Sequence, residues 1–307
     1  MTMNIEWLRG AATALVTPFT NNGAIDEKRL QVLIEYQLSG GVRLLVPCGT
    51  TGESATMTEA EDQRVIKLTV DAARGRAHVI AGTGSNATAS AIEWSTTARD
   101  LGVDAVLVVA PYYNKPTQEG LYAHFRAVAE AVKDLPVVMY NVPGRTGSNI
   151  AAATTLRLAH EVENIVGIKE ASGDLTQIMA ILRGRPEHFR VMSGDDAVTL
   201  PLIALGAEGL ISVASNEAPA FVSRMVDLAL AGQWQEARAL HYKLLPLMEA
   251  NFVESSPGPV KAALALMGLI EENFRLPLVP VQASTRARLK TLLLELGLMK
   301  EATHVAS

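Results

Sequence analysis

A single cysteine, Cys48, stands in 307 residues. One thiol excludes an intramolecular disulfide and makes a thiolate metal cluster implausible. Histidine is sparse as well. His78, His124, His160, His188, His241 and His304 are scattered, with no pair spaced to share a ligand face. Most read as surface or helix-end residues, and none ends a strand-like run, so neither a metal centre nor a Ser-His-Asp triad is supported. No long run of one charge occurs and the net charge is −5. Nothing therefore points to nucleic acid or to an anionic membrane. No apolar run is long enough to cross a bilayer, and the first nine residues, with Glu6 and no apolar core, do not read as a signal peptide. A Gly-x-Gly-x-x-Gly after the first strand-like run is missing. What remains is a soluble, cytoplasmic chain of ordinary globular composition, 49% hydrophobic and 19% charged.

Present instead is an alternation. Short apolar or β-branched runs cover residues 11–19, 43–47, 78–82, 105–110, 136–141, 165–169, 190–193 and 209–213. Amphipathic patterns follow them, with a helix capped at Asp26, a capping box at Thr58-Glu59-Ala60-Glu61, and helical periods over 118–132, 151–160 and 196–205. Eight such units in about 215 residues predict a closed (β/α)8 TIM barrel rather than an open doubly wound sheet. After residue 215 only helical patterns continue, over 218–231, 234–252, 259–268 and 284–298. The expected organisation is a barrel at 1–215 carrying the active site and a helical C-terminal extension at 216–307.

Active sites of such barrels gather at the C-terminal strand ends. Those ends here carry Thr17-Pro18, residues 49–54, residues 82–86, Tyr112-Tyr113, Tyr140-Asn141 with a Pro-Gly-Arg-Thr-Gly loop, Lys169, Ser193 to Asp196, and Ser212, Ser215 and Asn216. Each has a plainer reading. Residues 49–52 lack the frame of a nucleotide phosphate loop, whereas their amides and the hydroxyls of Thr50 and Thr51 suit a carboxylate. Tyr112 and Tyr113 fit a core or an interface as readily as a site, Tyr140 fits ordinary packing, and Arg145 fits a solvated loop. Asp195 and Asp196 read as caps of the next helix in preference to metal ligands. Lys169 ends a strand apolar on both faces. It either emerges into solvent or stays desolvated, which favours the neutral amine that attacks carbonyls. Lysine, tyrosines and threonines together suit imine chemistry: a nucleophile, a proton shuttle, and hydroxyls for a carboxylate.

Gly49-Thr50-Thr51-Gly52-Glu53-Ser54, Tyr140-Asn141-Val142-Pro143 with Arg145-Thr146-Gly147, and Gly167-Ile168-Lys169-Glu170 together resemble the dihydrodipicolinate synthase / N-acetylneuraminate lyase superfamily. The resemblance runs over residues 10–297 and includes residues 111–116 and 275–278. It implies that Lys169 forms a Schiff base with pyruvate, whose enamine attacks an aldehyde. It implies Tyr140 as proton shuttle, linked through Thr50 to a Tyr113 supplied by a neighbouring subunit. Thr51 would hold the pyruvate carboxylate, Ile211 would add a backbone contact, and Gly194 would line the pocket. Arg145 would bind the carboxylate of L-aspartate-4-semialdehyde, which favours a synthase over a sugar-acid lyase. No metal or organic cofactor is implied, and the expected assembly is a homotetramer, a dimer of dimers.

Two departures stand out. Ser255-Ser256 precedes the last Pro-Val-Lys, where such synthases often read Asn-Pro, a change in the extension rather than the chemistry. At the place where lysine-inhibited members bind lysine, Asn86 and Tyr112 match. Ser90 replaces the usual glutamate there, and Glu59 and Asp62 stand where histidines often lie. Weak or absent lysine feedback is the expectation. The rival readings are an aldolase or lyase for a sugar acid or hydroxy-oxoglutarate, a dehydratase of a keto-deoxy sugar acid, and a non-catalytic binding barrel.

Overall fold

Eight strands pair in parallel in chain order, and the last closes on the first, in a computed structural model that describes residues 3–300. They are β1 (Gly10–Ala14), β2 (Leu44–Val46), β3 (His78–Gly82), β4 (Ala105–Val109), β5 (Val137–Asn141), β6 (Ile165–Glu170), β7 (Arg190–Ser193) and β8 (Gly209–Ser212). The crossovers are α1 (Glu27–Ser39), α2 (Glu59–Ala73), α3 (Thr88–Asp100), α4 (Gln118–Ala131), a single turn α5 (Pro143–Thr146) followed by α6 (Ala152–Glu161), α7 (Leu175–Gly184) and α8 (Thr199–Ala204). Parallel neighbours need such crossovers, and the helices they bring cover the barrel's outer face. The fold is thus the expected TIM barrel.

Strand alternation divides the apolar side chains between two cores. Ala12, Leu44, Val46, Ile80, Leu107, Val138, Val166, Met192 and Ile211 fill the interior, joined from below by Ile5 and Leu8. Leu45, Val79, Val106, Val108, Val137, Met139, Ile165 and Ile168 point outward to the helices. Local signals hold where the sequence carries them. Asp26 accepts from the Arg29 amide at 3.0 Å, and Thr58 and Glu61 cap each other's backbone at the start of α2.

β1 is shorter than its apolar run. It stops at Ala14 because a side chain replaces the neighbouring strand. Asn216 donates to the Ala14 carbonyl at 2.8 Å and accepts from the Val16 amide at 3.2 Å. Beyond it Pro18 has no amide to give, and Phe19 makes an isolated bridge to Ile25.

After β8 come α9 (Pro219–Leu230), α10 (Trp234–Ala250), α11 (Gly258–Leu266) and α12 (Ala283–Glu295). α9 occupies the eighth crossover position: Val222, Met225 and Val226 share one core cluster with Ala11 and Leu210 of the barrel wall. A boundary at 215/216 therefore separates this helix from strands it covers. Among the described residues, no helix is long and apolar enough to cross a membrane.

Candidate active site

The orientation of Lys169 depends on an irregularity in β6. Counting inward and outward from Ile165, which faces the helices, strict alternation sends Ile168 inward and Lys169 outward. The pairing does not stay regular. Val137 is opposite Ile165 but Val138 is opposite Gly167, a one-residue shift that places Tyr140 opposite Lys169. This bulge turns Lys169 to the interior, beside Tyr140. Gly167 makes it feasible, since a Cβ there would lie 2.7 Å from the Arg190 carbonyl oxygen.

Lys169 is 6% exposed, and its Nζ lies 4.3 Å from the centroid of the Tyr140 ring. Among the described residues no carboxylate pairs with it. Gly194, at the end of β7, packs along its aliphatic chain: a Cβ there would come within 3.0 Å of Lys169 Cγ and Cε. Thr51 and Ile211 are buried, Ile211 on the interior face of β8.

Beside Tyr140 opens a cavity of about 330 Å³, with Thr50, Tyr140 and Arg145 on its wall together with Tyr112, Ser54 and Trp94. Lys169, Thr51, Gly194 and Ile211 do not line it, and Lys169 is joined to it through the Tyr140 ring. Arg145 belongs to α5, a helical turn where the sequence suggests only a loop. Thr146 shapes that turn, its hydroxyl donating to the Ser148 carbonyl at 2.8 Å and to Val142 at 3.2 Å. Arg145 is exposed and, among the described residues, has no ion-pair partner. Tyr113 is 89% exposed, at a backbone φ of +74°, with its amide bonded to the Thr146 carbonyl at 3.1 Å. It does not line the chain's own cavity. A left-handed tyrosine costs roughly 1 kcal/mol or more, so the surroundings impose this pose.

Several polar groups serve the frame instead. Asp196 does not cap α8, which begins at Thr199 after Val198 with no side-chain cap. Fully buried, it accepts from the Ser212 hydroxyl, from the Val213 amide at 2.9 Å and from the Ala214 amide at 3.3 Å. It thereby ties the ends of β7 and β8, and burial pushes its carboxyl up. Asp195 only turns the chain, accepting from the Ala197 amide. His124 and His241 are buried, not surface groups, and burial pulls both rings below their usual range. Among the described residues no three His, Cys, Asp or Glu side chains are grouped to hold a metal ion.

The sequence reading missed two networks. Asn141 and Glu170 follow Tyr140 and Lys169 and face the opposite side of the sheet. There the Asn141 amide donates to Glu170 at 3.1 Å and to Asn149 at 2.9 Å, while its oxygen accepts from the Ile150 amide. Glu170 also accepts from the Ser172 amide at 2.8 Å. Both stand inside the motifs that carry the resemblance, and that placement was the available signal. The second network joins Glu53 of the motif 49–54 to Lys261, in an ion pair wholly excluded from solvent. Burial pulls the Lys261 ammonium down against the opposing pull of Glu53.

Comparison with known proteins agrees over nearly the whole chain. The model of the dihydrodipicolinate synthetase family matches residues 7–296. A 4-hydroxy-tetrahydrodipicolinate synthase from Koribacter versatilis is 54% identical over 297 residues, 96% of this chain and 98% of the relative. The structure of a dihydrodipicolinate synthase from Acinetobacter baumannii complexed with pyruvate superposes with TM-score 0.92 at 45% identity, over 95% of this chain and 99% of that one. One from Cyanidioschyzon merolae with lysine bound gives 0.93 at 42%, over 95% and 99%.

Proposed function

The chain belongs to the dihydrodipicolinate synthetase family, and from that premise we propose that Lys169 condenses pyruvate with L-aspartate-4-semialdehyde. The product is 4-hydroxy-tetrahydrodipicolinate, on the diaminopimelate route to lysine, and the enzyme is a lyase of class I aldolase type. One observation carries the assignment of the nucleophile: a buried lysine near the C-terminal end of β6, held against a tyrosine ring and with no carboxylate partner among the described residues.

The Lys169 amine adds to the keto carbon of pyruvate and water leaves, giving a protonated imine. The imine withdraws electrons from the adjacent methyl, which loses a proton to become an enamine. Its terminal carbon bonds to the aldehyde carbon of the semialdehyde, whose oxygen takes a proton. The amine of the bound semialdehyde then displaces Lys169 from the imine carbon, closing the ring and freeing the enzyme. Tyr140 moves these protons, in relay with Thr50 and a Tyr113 from a neighbouring subunit. Thr51 and the backbone at Ile211 hold the pyruvate carboxylate, and Gly194 leaves room beside the lysine. Arg145 grips the carboxylate of the semialdehyde at the mouth. The imine itself is the electron sink, so the reaction calls for no metal or organic cofactor. The same reading makes the protein a cytoplasmic homotetramer, a dimer of dimers. Lysine feedback is weak, since Ser90 offers no carboxylate and Glu59 is engaged with the Trp94 indole N–H at 2.9 Å.

Borohydride trapping with pyruvate tests the assignment. Lys169→Ala should lose both adduct and turnover, whereas Arg145→Ala should keep the adduct and lose on the order of 10²-fold in use of the semialdehyde. Adduct in the Lys169 variant would make another lysine the nucleophile. Turnover on a sugar aldehyde alone would reassign Arg145.

A further inference from the structure

The ion pair between Lys261 and Glu53 joins residues 208 positions apart in the chain. Lys261 lies on α11, in the C-terminal extension. Glu53 ends the turn that carries Thr50 and Thr51. Neither side chain has solvent exposure. The Lys261 ammonium also lies 4.4 Å from the Phe19 ring centroid and 5.0 Å from that of Phe274. The second Glu53 oxygen, Oε2, is buried with no hydrogen-bond partner among the described residues. A buried pair is weak evidence for stability, because desolvation offsets its attraction and an apolar pair of equal volume would serve as well. What an ion pair adds is direction: it fixes where the Glu53 carboxylate sits.

That position matters through the backbone. Glu53 has φ +56°, a left-handed conformation unfavourable for a glutamate, so something must hold it there. Its amide donates to the Thr50 carbonyl at 3.2 Å and its own carbonyl accepts from the Thr56 amide at 2.9 Å. A second cation of the extension, Arg275, donates to the Thr56 carbonyl at 3.0 Å and to Glu61 at 2.8 Å. Both ends of the segment 53–56 are thus held from the same side. We propose that Lys261 and Glu53 are positioning residues, through which the C-terminal extension sets the loop of Thr50 and Thr51 for pyruvate. The proposal rests on the assignment of that loop to the pyruvate carboxylate.

The test compares Glu53→Gln, Lys261→Met and the double variant with the parent protein, by urea unfolding and by steady-state kinetics. Either single change leaves a buried unpaired group and should cost stability. The double variant should recover most of it. Even so, its kcat/KM for pyruvate should stay at least about tenfold low, with KM for the semialdehyde nearly unmoved. Native kcat/KM for pyruvate in a double variant of native stability would overturn the proposal, leaving the pair a structural contact. Lys261→Arg covers the case of a double variant that does not fold. It keeps the charge but displaces the carboxylate, so it should lower kcat/KM for pyruvate, and native kinetics would again overturn the proposal. Thr51→Ala, measured alongside, tests the underlying assignment separately. If it leaves pyruvate kinetics native, that assignment fails whatever the pair variants do.

Discussion

Asp62 illustrates how burial alone sets a titration. Its carboxyl is pushed up to about 6, chiefly by burial and against a hydrogen bond from the Ser54 hydroxyl at 3.1 Å. The folded protein therefore holds this proton more tightly than the unfolded chain. The resulting stabilisation is complete below about pH 4 and is lost as pH rises through 6. His124 acts in the opposite sense. Burial holds its ring at about 4, so its contribution is present above pH 6.5 and lost as pH falls toward 4. Asp62→Asn removes the first effect only. Relative to the parent, this variant should gain on the order of 2 kcal/mol between pH 4 and 7.5, read from urea unfolding at each pH. A difference that does not change with pH would mean that Asp62 ionises freely.

Among the elements, β6 sets the face of the proposed nucleophile. Its apolar run and its terminal Lys169 are plain in the sequence, but the face on which the lysine emerges is not. The shift between Val137 and Val138 reverses the alternation, and Gly167 supplies the space. Gly167→Ala pushes a Cβ onto the Arg190 carbonyl, at a cost of about 1–3 kcal/mol. The fraction still folded should form the pyruvate adduct at least about tenfold more slowly, because the lysine is turned or displaced. Adduct formation at the parent rate in the folded fraction would remove the bulge from the argument.

At the scale of the molecule, Tyr113 is the residue one chain does not explain. Its ring is 89% exposed on a left-handed backbone anchored to Thr146, beside but outside the chain's own cavity. Under the proposed function, a relay completed by a second subunit would account for that cost. Lys169→Ala and Tyr113→Phe should each lose activity, the second by roughly 10²-fold. Mixed and allowed to exchange subunits, they should regain part of it, since one supplies the tyrosine and the other the lysine. No recovery after demonstrated exchange would assign Tyr113 to its own site.

The order of strands and helices, the closed barrel and the strand-end motifs were legible in the sequence, because each rests on local period, capping or turn chemistry. Asp26, Thr58 and Glu61 cap as their spacing requires. Which residue types reach the strand ends was legible as well, since Lys169, Tyr140 and the Thr50-Thr51 turn stand where the strand periods end. Groups whose partners lie far along the chain were decided by the tertiary structure alone. Asn216 ends β1 from about two hundred residues away. Asp196 turned from helix cap to a tie between strands, because the Ser212 hydroxyl and two amides outcompete α8 for it. Lys261 reaches Glu53, and the bulge at Gly167 sets the face of Lys169. Periodicity reports what each residue does relative to its neighbours in sequence. Register and long-range pairing depend on how the closed barrel brings distant elements together, and no local pattern encodes them.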